Sequence, residues 1–458
     1  MGRTVQNSVD NIDTIVACAT PMGAGALAIV RLSGSSAIEI VDSFATIAHK
    51  RLTECPSHTI HFARLFDGAK NLIDTVMLSI MRAPKSFTGE DSIEITCHNN
   101  PFIINAIITR CIELGARVAH AGEFTQRAYL GKKIDILQAE AIHELIAAHT
   151  QEALKRSLAQ LDGTLSQWVA HLEKKLLTAL AYSEASFEFL DDEAEFAPVI
   201  TRLITECAQV VASLTRTMGT QQQIKQGIRI ALIGAVNAGK SSLFNALIGK
   251  NRAIVSSIPG TTRDTVEAGV YTQQDYWTII DTAGLRETDN IIEKQGIARS
   301  HEEANTADII LLIYDSSVSL TPLQEKIYCE IYTTHARKTV RVGTKRDIFA
   351  VSHSWDILVA THDPQDIQKL EKLLIQKSSN LHAAHASPFI LNKRQSLKII
   401  ELEQQLNAIS SLLSQPRLPY ELISTDLKAA LAHIGDLTGK TVSEAGMDLI
   451  FREFCVGK

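Results

Sequence analysis

Apolar and polar positions along the chain fall into three textures. From residue 12 to about 125, short runs rich in β-branched residues ("TIVAC", "ALAIVRLSG", "DSIEITCH") are separated by turn residues, with one helical stretch near 101–114. Such runs predict strands, and their mixture with a helix predicts a compact α+β domain. From about 135 the period lengthens. Leu154, Leu158, Leu161, Leu165, Trp168, Leu172 and Leu176 step by four and three. That spacing lays side chains along one helix face, here expected to line a bundle core. Gly163 lies within the stripe and marks an expected bend or break.

Between 228 and about 378 the texture alternates. "IRIALIG", "YWTIID", "DIILLIYD", "KTVRVG" and "DILVA" read as strands with helical stretches between them, which predicts a doubly wound, mostly parallel sheet. After about 390 Leu402, Leu406, Ile409 and Leu413 restore the helical period. "SQPRLP" breaks it, and Leu427, Leu431, Ile434 and Leu437 resume it. These late helices are expected to pack with those of 135–220. The fold class is therefore multidomain, α+β and α/β, with a discontinuous helical domain interrupted by an inserted α/β domain. The expected limits are 1–127, 128–224, 225–380 and 381–458.

Composition narrows the function classes. A chain of 458 residues exceeds one compact core, and length alone suggests about three domains. The net charge of −6 supplies no global basic field for nucleic acid, so any RNA contact needs a local patch or a partner. Cys18, Cys55, Cys97, Cys111, Cys207, Cys329 and Cys455 are scattered without a C-x-x-C pair. That argues against a disulfide framework or zinc site and fits a reducing cytoplasm. The first residues carry one Arg and no apolar signal core, and no uninterrupted apolar run approaches the ~18 residues of a membrane span. A cytoplasmic location, away from membranes, is expected.

The sharpest motif is "GAVNAGKSS" at 234–242, between the strand "IRIALI" and the helical "SSLFNALIG". It fits G-x-x-x-x-G-K-[ST] in the required strand–loop–helix context. Gly234 and Gly239 let backbone N–H groups curl around phosphate, and the following helix directs its positive end at the same oxygens. Asn237, Ala238, Gly239, Lys240, Ser241 and Ser242 form this cradle. Lys240 supplies charge to the phosphates, and Ser241 offers a hydroxyl to Mg²⁺.

Three further stretches specify GTP. "DTAG" is the stretch Asp281, Thr282, Ala283 and Gly284, in which Asp281 can reach Mg²⁺ through water and the Gly284 N–H can meet the γ-phosphate. Ser256, Ser257, Ile258, Pro259, Gly260, Thr261 and Thr262 occupy the place of a switch loop, with Thr262 the natural hydroxyl to close on Mg²⁺. In "TKRD", Thr344, Lys345 and Asp347 form the guanine reader. Asp347 can accept from both guanine N–H groups, a donor pair that adenine lacks, and mismatches of that kind cost ~10⁴-fold. Position 344 is Thr where Asn is usual, so one amide contact is expected to go. The last guanine loop is expected near "LVATHDPQD", where only Ala360 resembles its usual sequence.

After D-x-x-G, many small GTPases carry a Gln that orients water, but here that position is Leu285. Asn237 is a candidate to hold a monovalent cation against the phosphates. Glu293 is a candidate to steer water, although spacing alone favours an exposed helix carboxylate.

These residues together resemble the tRNA modification GTPase MnmE (TrmE) family. The resemblance runs through "DTIVACATP", "SFTGEDSIEI", "GEFTQRAYLGKKIDILQAEAI", "NAGKSSLFNAL", "PGTTRD", "DTAGLRET" and the terminal "FCVGK". It implies an N-terminal folate-binding and dimerisation domain, a helical domain in two segments and a Ras-like G domain inserted between them. It implies GTP hydrolysis that depends on K⁺ and Mg²⁺ and is triggered when two G domains meet in a homodimer. It also implies joint action with an FAD-dependent MnmG (GidA)-type partner on C5 of the wobble uridine of certain tRNAs. The one-carbon unit would come from a tetrahydrofolate derivative.

The family's cation ligands fall on Asn237, Ser256, Ile258 and Thr261, its magnesium ligands on Ser241 and Thr262, and its hydrolytic glutamate on Glu293. Its folate contacts fall on Arg31, Glu94, Lys133 and Lys458. A carboxylate such as Glu94 suits the N–H row of a pterin, and cations such as Arg31 suit the anionic glutamate tail. The resemblance also implies that the chain end returns to the folate site. Cys455 is then either a nucleophile toward the uridine or one-carbon unit, or a small buried apolar group.

Ala24 stands where the family usually has Arg, and Asn99 and Asn100 stand where it has paired glycines. Asn tolerates positive φ, so the backbone is expected to keep its path. Two rival functions share the P-loop: a ribosome-assembly GTPase and a GTP-driven scaffold without folate chemistry.

Overall fold

The computed structural model describes residues 13–458 apart from 22, 24, 49, 189–192, 219–220, 251–265, 273–275, 282–300, 349–354, 383–387, 417, 453, 455–456 and 458. The chain divides into two compact units: Met1–His143, Gln160–Cys207 and Glu401–Lys458, and Glu144–Ala159 with Ala208–Ile400.

The first unit is built on a seven-stranded sheet. Its strands are β1 (Ile15–Cys18), β2 (Leu27–Ser33), β3 (Ala45–Ile47), β4 (Thr59–Phe66), β5 (Leu72–Met81), β6 (Ser92–His98) and β7 (Arg117–Val118), in the order β3-β4-β5-β6-β2-β1-β7. Neighbours are antiparallel except β1 and β7. Alternation sets the faces, because successive side chains of a strand point to opposite sides. Ala28, Val30 and Leu32 of β2 enter the main core with Leu78, Ile80, Ile93 and Ile95. Arg31 of β2 takes the opposite parity.

The helices α1 (Ala37–Asp42) and α2 (Pro101–Glu113) cover that core through residues such as Ile38, Val41, Ile104 and Ile107. Asn100 caps α2, accepting from the Phe102 N–H at 2.9 Å. Asn99 donates to the Gly23 carbonyl at 2.9 Å. The φ of Asn100 is −122°, and Asn99 is not among the residues with positive φ. The tolerance for positive φ expected of these two asparagines is therefore not called on.

The other face of β1 carries α3 (Glu123–Leu130) on a small cluster of Ile15, Ala17, Ala119 and Phe124. An ion network fixes the first turn of α3. Arg127, 7% exposed, donates to Asp13 and Glu123 at 2.9 and 3.0 Å and approaches Glu90 at 3.2 Å. Arg117 reaches Glu123 from the other side at 2.8 Å and also pairs with Asp13. Burial acts to raise the carboxyl of Glu123, but bonds from Arg117, the His120 N–H and Arg127 outweigh it and hold the group at about 2.

The helical segments continue with α4 (Ile136–Ile146), α5 (Gln151–Leu161), α6 (Thr164–Glu188) and α7 (Glu193–Thr215). Gly163, at φ +92°, separates α5 from α6, so the break expected there is present. That break corrects the expected stripe. Leu165, Leu172 and Leu176 are buried, but Leu154 and Leu158 are 44% and 46% exposed. A turn through positive φ resets the helical phase, and in α5 Ala153, Ser157 and Gln160 are buried instead.

Phe196–Thr215 of α7 is the one stretch among the described residues long and apolar enough to cross a membrane by length and composition. Its buried residues Ile200, Ile204, Cys207, Val211 and Leu214 recur on one face. Glu206 pairs with Lys175 of α6 at 2.6 Å.

Near the carboxyl terminus lie α12 (Lys393–Leu413), α13 (Tyr420–Thr438) and α14 (Glu444–Arg452). As expected, late and early helices pack together: α13 runs along α6, with Ser183 Oγ on the Tyr420 carbonyl at 3.3 Å and Lys428 on Glu184 at 2.9 Å. The short α14 then docks on α3. Gln126 donates to Asp448 at 2.8 Å, Phe451 packs on Tyr129, and Phe454 stacks on His143 at 5.6 Å. Gly122, at φ +69°, makes this docking possible, since a Cβ there would lie 2.2 Å from the Phe451 carbonyl oxygen.

The second unit holds a six-stranded sheet of β8 (Ile228–Gly234), β9 (Val266–Tyr271), β10 (Tyr276–Asp281), β11 (Ile309–Asp315), β12 (Thr339–Thr344) and β13 (Ile357–Leu358), in the order β13-β12-β11-β8-β10-β9. All neighbours are parallel except β9 and β10. The strands were legible as continuous apolar runs because both faces are buried. One core lies under α9 (Lys240–Lys250) and α11 (Pro364–His382), the other under α10 (Pro322–His335).

The unit also includes α8 (Gln221–Gln226), which enters β8 and is gripped from residues 144–150. Lys225 pairs with Glu144 at 2.7 Å, Thr150 Oγ1 donates to the Ile224 carbonyl at 2.5 Å, and His149 stacks on Tyr276 at 4.9 Å.

Two outcomes are expected. Gly122→Ala combines strain at positive φ with a backbone clash, so stability should fall by about 1–3 kcal/mol. Amide exchange across 444–452 should rise in step, and unchanged exchange there would contradict the docking. Glu123 has its pKa depressed from 4.5 to about 2, so its network stabilises fully above pH 4.5 and is lost as pH falls toward 2. Glu123→Gln should flatten the acid limb of melting temperature against pH over that window.

Candidate functional site

The phosphate loop connects β8 to α9, where the chain must turn tightly against β11. A Cβ on Gly234 would lie 2.5 Å from the Ile313 carbonyl oxygen. Gly239 adopts φ +88°, and its absent Cβ would sit 3.2 Å from Thr344 Oγ1. Asn237 is exposed at φ +62°, a conformation Asn tolerates better than most residues. Sequence reasoning missed Tyr328 of α10. Its hydroxyl accepts from the Ala235 N–H at 2.5 Å and donates to the Ile313 carbonyl at 2.8 Å, which pins the start of the loop to β11. Nothing in an amphipathic helix marks one tyrosine for that task.

Lys240 is 6% exposed, and its Nζ donates to the Gly234 and Ala235 carbonyls at 2.6 Å each. Burial lowers the pKa of this ammonium, while Asp281 acts in the opposite direction. Ser241 Oγ donates to Asp281 Oδ2 at 2.9 Å, so a hydroxyl and a carboxylate from α9 and β10 meet at one point. Hard oxygen donors in that pairing suit Mg²⁺.

The guanine side closes on the same loop. Thr344 is fully buried, and its Oγ1 donates to the Ala238 carbonyl at 2.7 Å, with the Tyr314 carbonyl at 3.0 Å. The hydroxyl thus supplies a tie from this position to the P-loop in spite of the missing amide. Lys345, at φ +58°, pairs with Asp315 at 2.5 Å, and Asp347 is exposed. Asp366, at the start of α11, accepts from the Ala360 N–H at 3.0 Å and pairs with Arg346 at 2.9 Å. Burial acts to raise the Asp366 carboxyl, but the Ala360 N–H and the neighbouring Lys369 and Arg346 hold it below its usual range. The loops at 344–348 and 359–366 are joined in this way without the usual Ser-Ala-Lys sequence.

Asn237, Ala238, Gly239, Lys240, Ser241, Ser242, Asp281, Thr344, Lys345 and Asp347 are therefore gathered at the carboxyl ends of β8, β10 and β12, the edge where open α/β sheets bind ligands. Ser256, Ser257, Ile258, Pro259, Gly260, Thr261, Thr262, Thr282, Ala283, Gly284 and Glu293 lie outside the described residues.

A second cluster lies in the first unit. Arg31 and Glu94 are register partners on β2 and β6. Arg31 Nε and Nη2 meet Glu94 Oε1 at 2.9 and 2.7 Å, and Nη1 donates to the Gly457 carbonyl at 3.3 Å. The guanidinium faces the rings of Phe87 and Phe124 at 6.0 and 5.7 Å. The separate tasks expected for Arg31 and Glu94 thus meet in one ion pair. Lys133 lies across the 84–89 loop, with Nζ on the Pro84 carbonyl at 2.8 Å and its stem against Gly89.

The chain end does return to this place. Gly457 is buried at φ +89°, and a Cβ on it would lie 2.5 Å from the Cys18 carbonyl oxygen. Cys455 and Lys458, on either side of it, lie outside the described residues, as does Ala24.

Thr344→Val removes the donor to the buried Ala238 carbonyl and keeps the shape. It should weaken nucleotide binding on the order of tenfold, about 1–2 kcal/mol, as measured by calorimetry. Thr344→Ser should restore it, and an unchanged Kd in the valine variant would refute the tie.

The family described as GTP-binding protein TrmE N-terminus matches residues 14–133, and the MnmE helical domain matches residues 136–455. The tRNA modification GTPase MnmE of Geobacillus kaustophilus (strain HTA426) is 38% identical over 465 residues, covering 97% of this chain and 99% of that one. Those of Desulfitobacterium hafniense (strain Y51) and Salinibacter ruber (strain DSM 13855 / M31) are each 36% identical over 465 residues, again across 97% of this chain, and cover 100% and 99% of the relatives. With both family descriptions matched in order and such identity along almost the whole length, the chain belongs to the MnmE family of tRNA modification GTPases.

Proposed function

We propose that the chain is a GTP hydrolase acting in tRNA modification. The observation that carries the reading is the 2.9 Å contact of Ser241 with Asp281 beside the Lys240 loop. In this reading Ser241 is a ligand of Mg²⁺ beside the phosphate cradle, and Asp281 reaches the ion through water. Thr262 completes that set from the switch loop. The name shared by the relatives, tRNA modification GTPase, supports the same assignment.

Asn237 is the proposed K⁺ ligand, with Ser256, Ile258 and Thr261. Its support is an exposed side chain that makes no hydrogen bond among the described residues. Bound cations there would neutralise charge developing on the phosphates. Glu293 steers the attacking water, and Asp347 reads guanine.

In the fuller reading the protein works as a homodimer with an FAD-dependent MnmG-type partner in the cytoplasm. It modifies C5 of uridine 34 in certain tRNAs with a tetrahydrofolate-borne one-carbon unit. Glu94, Arg31, Lys133 and Lys458 serve the folate site, and Cys455 is either a nucleophile toward the uridine or one-carbon unit or a small buried apolar group. The domain limits 1–127, 128–224, 225–380 and 381–458 belong to the same reading.

Hydrolysis should be much faster in K⁺ than in Na⁺ at equal ionic strength, and Asn237→Ala should remove the difference. Equal rates in the two salts would take the cation role from Asn237. Nucleoside mass spectrometry of tRNA from cells lacking the protein should show loss of the C5-modified wobble uridine. An unchanged profile would overturn the assignment to tRNA.

A further inference from the structure

We infer that Arg346 and Asp366 are a pair of positioning residues for base selection: the buried Asp366 carboxylate, gripped by Arg346, sets the bearing of Asp347 toward guanine. This rests on the reading above that Asp347 reads guanine, and it names what aims that carboxylate.

Arg346 and Asp347 are the two central residues of a tight turn, closed by the Ile348 N–H on the Lys345 carbonyl at 2.9 Å. A turn of this kind can rock about its ends and carry Asp347 with it. Its leading end is tied. Thr344 Oγ1 donates to the Ala238 carbonyl, and Lys345 pairs with Asp315 at 2.5 Å. The Arg346 side chain then leaves the turn for the start of α11. Its Nε meets Asp366 Oδ2 at 2.9 Å, and its Nη2 donates to Asp363 Oδ2 at 3.2 Å. Asp347, the next residue, is exposed and makes no hydrogen bond among the described residues. One central side chain of the turn is spent on a mooring, and its neighbour is left for a ligand.

The mooring is rigid. The side chain of Asp366 is 0% exposed, against 42% for Arg346. A carboxylate taken out of water needs its charge matched and its lone pairs filled. Oδ2 accepts from the Ala360 N–H at 3.0 Å as well as from Arg346, and Oδ1 meets Lys369 at 3.3 Å. Asp366 also lies in the first turn of α11, where the helix dipole favours a negative charge. The helix itself is fixed in the core under the sheet by Ile367, Leu370 and Leu374. Asp366 therefore passes the rigidity of a packed helix to two loops at once, to the turn through Arg346 and to the loop before α11 through Ala360. Without Arg346 the turn keeps its closing bond but loses its fixed bearing.

Bearing matters because a carboxylate reads guanine with two bonds, to N1–H and to the 2-amino group, and both require one orientation. Hypoxanthine keeps N1–H and lacks the 2-amino group. The ratio of Kd for inosine diphosphate (IDP) to Kd for GDP thus reports the second bond, free of the phosphate and ribose contacts that the two nucleotides share.

The test uses the full chain, with GDP and IDP as probes and calorimetry to measure both Kd values in one Mg²⁺ buffer. The unmodified protein should prefer GDP. Arg346→Gln and Asp366→Asn should each lower the ratio about tenfold. The double variant should lower it no further than the larger single effect, as expected of two residues that act as a unit. Melting curves confirm that each variant is folded, and Arg346→Gln, which alters a side chain partly in solvent, decides alone where Asp366→Asn does not fold.

Equal weakening of GDP and IDP, with the ratio kept, would make the pair a strut of the pocket and overturn its part in selection. An unchanged ratio at unchanged affinity would overturn it equally, as would additive effects in the double variant. If the unmodified protein binds GDP and IDP alike, the guanine reading of Asp347 fails and the inference falls with it. A preference for GDP that survives both substitutions ends the inference alone.

Discussion

The close approach of two backbone segments at the carboxyl end of the chain governs the first unit. The Phe451 carbonyl lies against Gly122, and Gly457 lies against the Cys18 carbonyl. Neither approach tolerates a side chain. Gln126 and Tyr129 hold α14 through Asp448 and Phe451, and His143 holds Phe454 just beyond it. Terminal segments usually fray unless something ties them down. Here the tie is steric complementarity at two glycines, reinforced by one arginine that also serves the sheet. The network of Asp13, Arg117, Glu123 and Arg127 ties α3, the helix on which α14 docks, to the residues flanking β1 and β7.

The second unit uses a comparable economy. Its P-loop depends on contacts from outside the motif, with Tyr328 holding the first turn and Thr344 the last. Both are uncharged hydroxyls bonded to backbone, so the loop is shaped before any phosphate charge arrives. Preorganised backbone donors of this type need little rearrangement when the ligand binds. Lys240 is the cation of this group, folded onto two loop carbonyls, and in the proposed GTP site it would exchange those partners for phosphate oxygens.

Much of this was legible in the sequence, and the physical reason differs from element to element. The P-loop is readable because its conformation demands Gly234, Gly239 and Lys240 at fixed spacing. The parallel strands are readable because burial on both faces leaves continuous apolar runs. The exposure of Leu154 and Leu158 was not readable. One residue at positive φ, Gly163, rotates everything before it, and sequence shows the glycine without the angle. The antiparallel β9 was missed because an edge strand such as "VEAGVY" carries a weak pattern. The Arg31–Glu94 pair was seen as two separate residues. Their pairing is a matter of strand register, fixed only when β2 and β6 align. The Asn99–Asn100 pair was read as a backbone device, whereas its side chains are what the fold uses.

The grip of residues 144–150 on the start of the nucleotide sheet has a mechanical consequence. Tyr276 begins the strand that ends in Asp281, and α8 leads into the strand that ends at Gly234. Tyr276 is wedged between two glycines, with Gly227 against its carbonyl and Gly269 against its hydroxyl. His149 lies flat on its ring. A paired strand is nearly inextensible, so it acts as a pushrod about 17 Å long over its five steps. Any displacement of the Asp281 carboxylate is delivered, almost undiminished, to an imidazole at the opposite rim of the sheet.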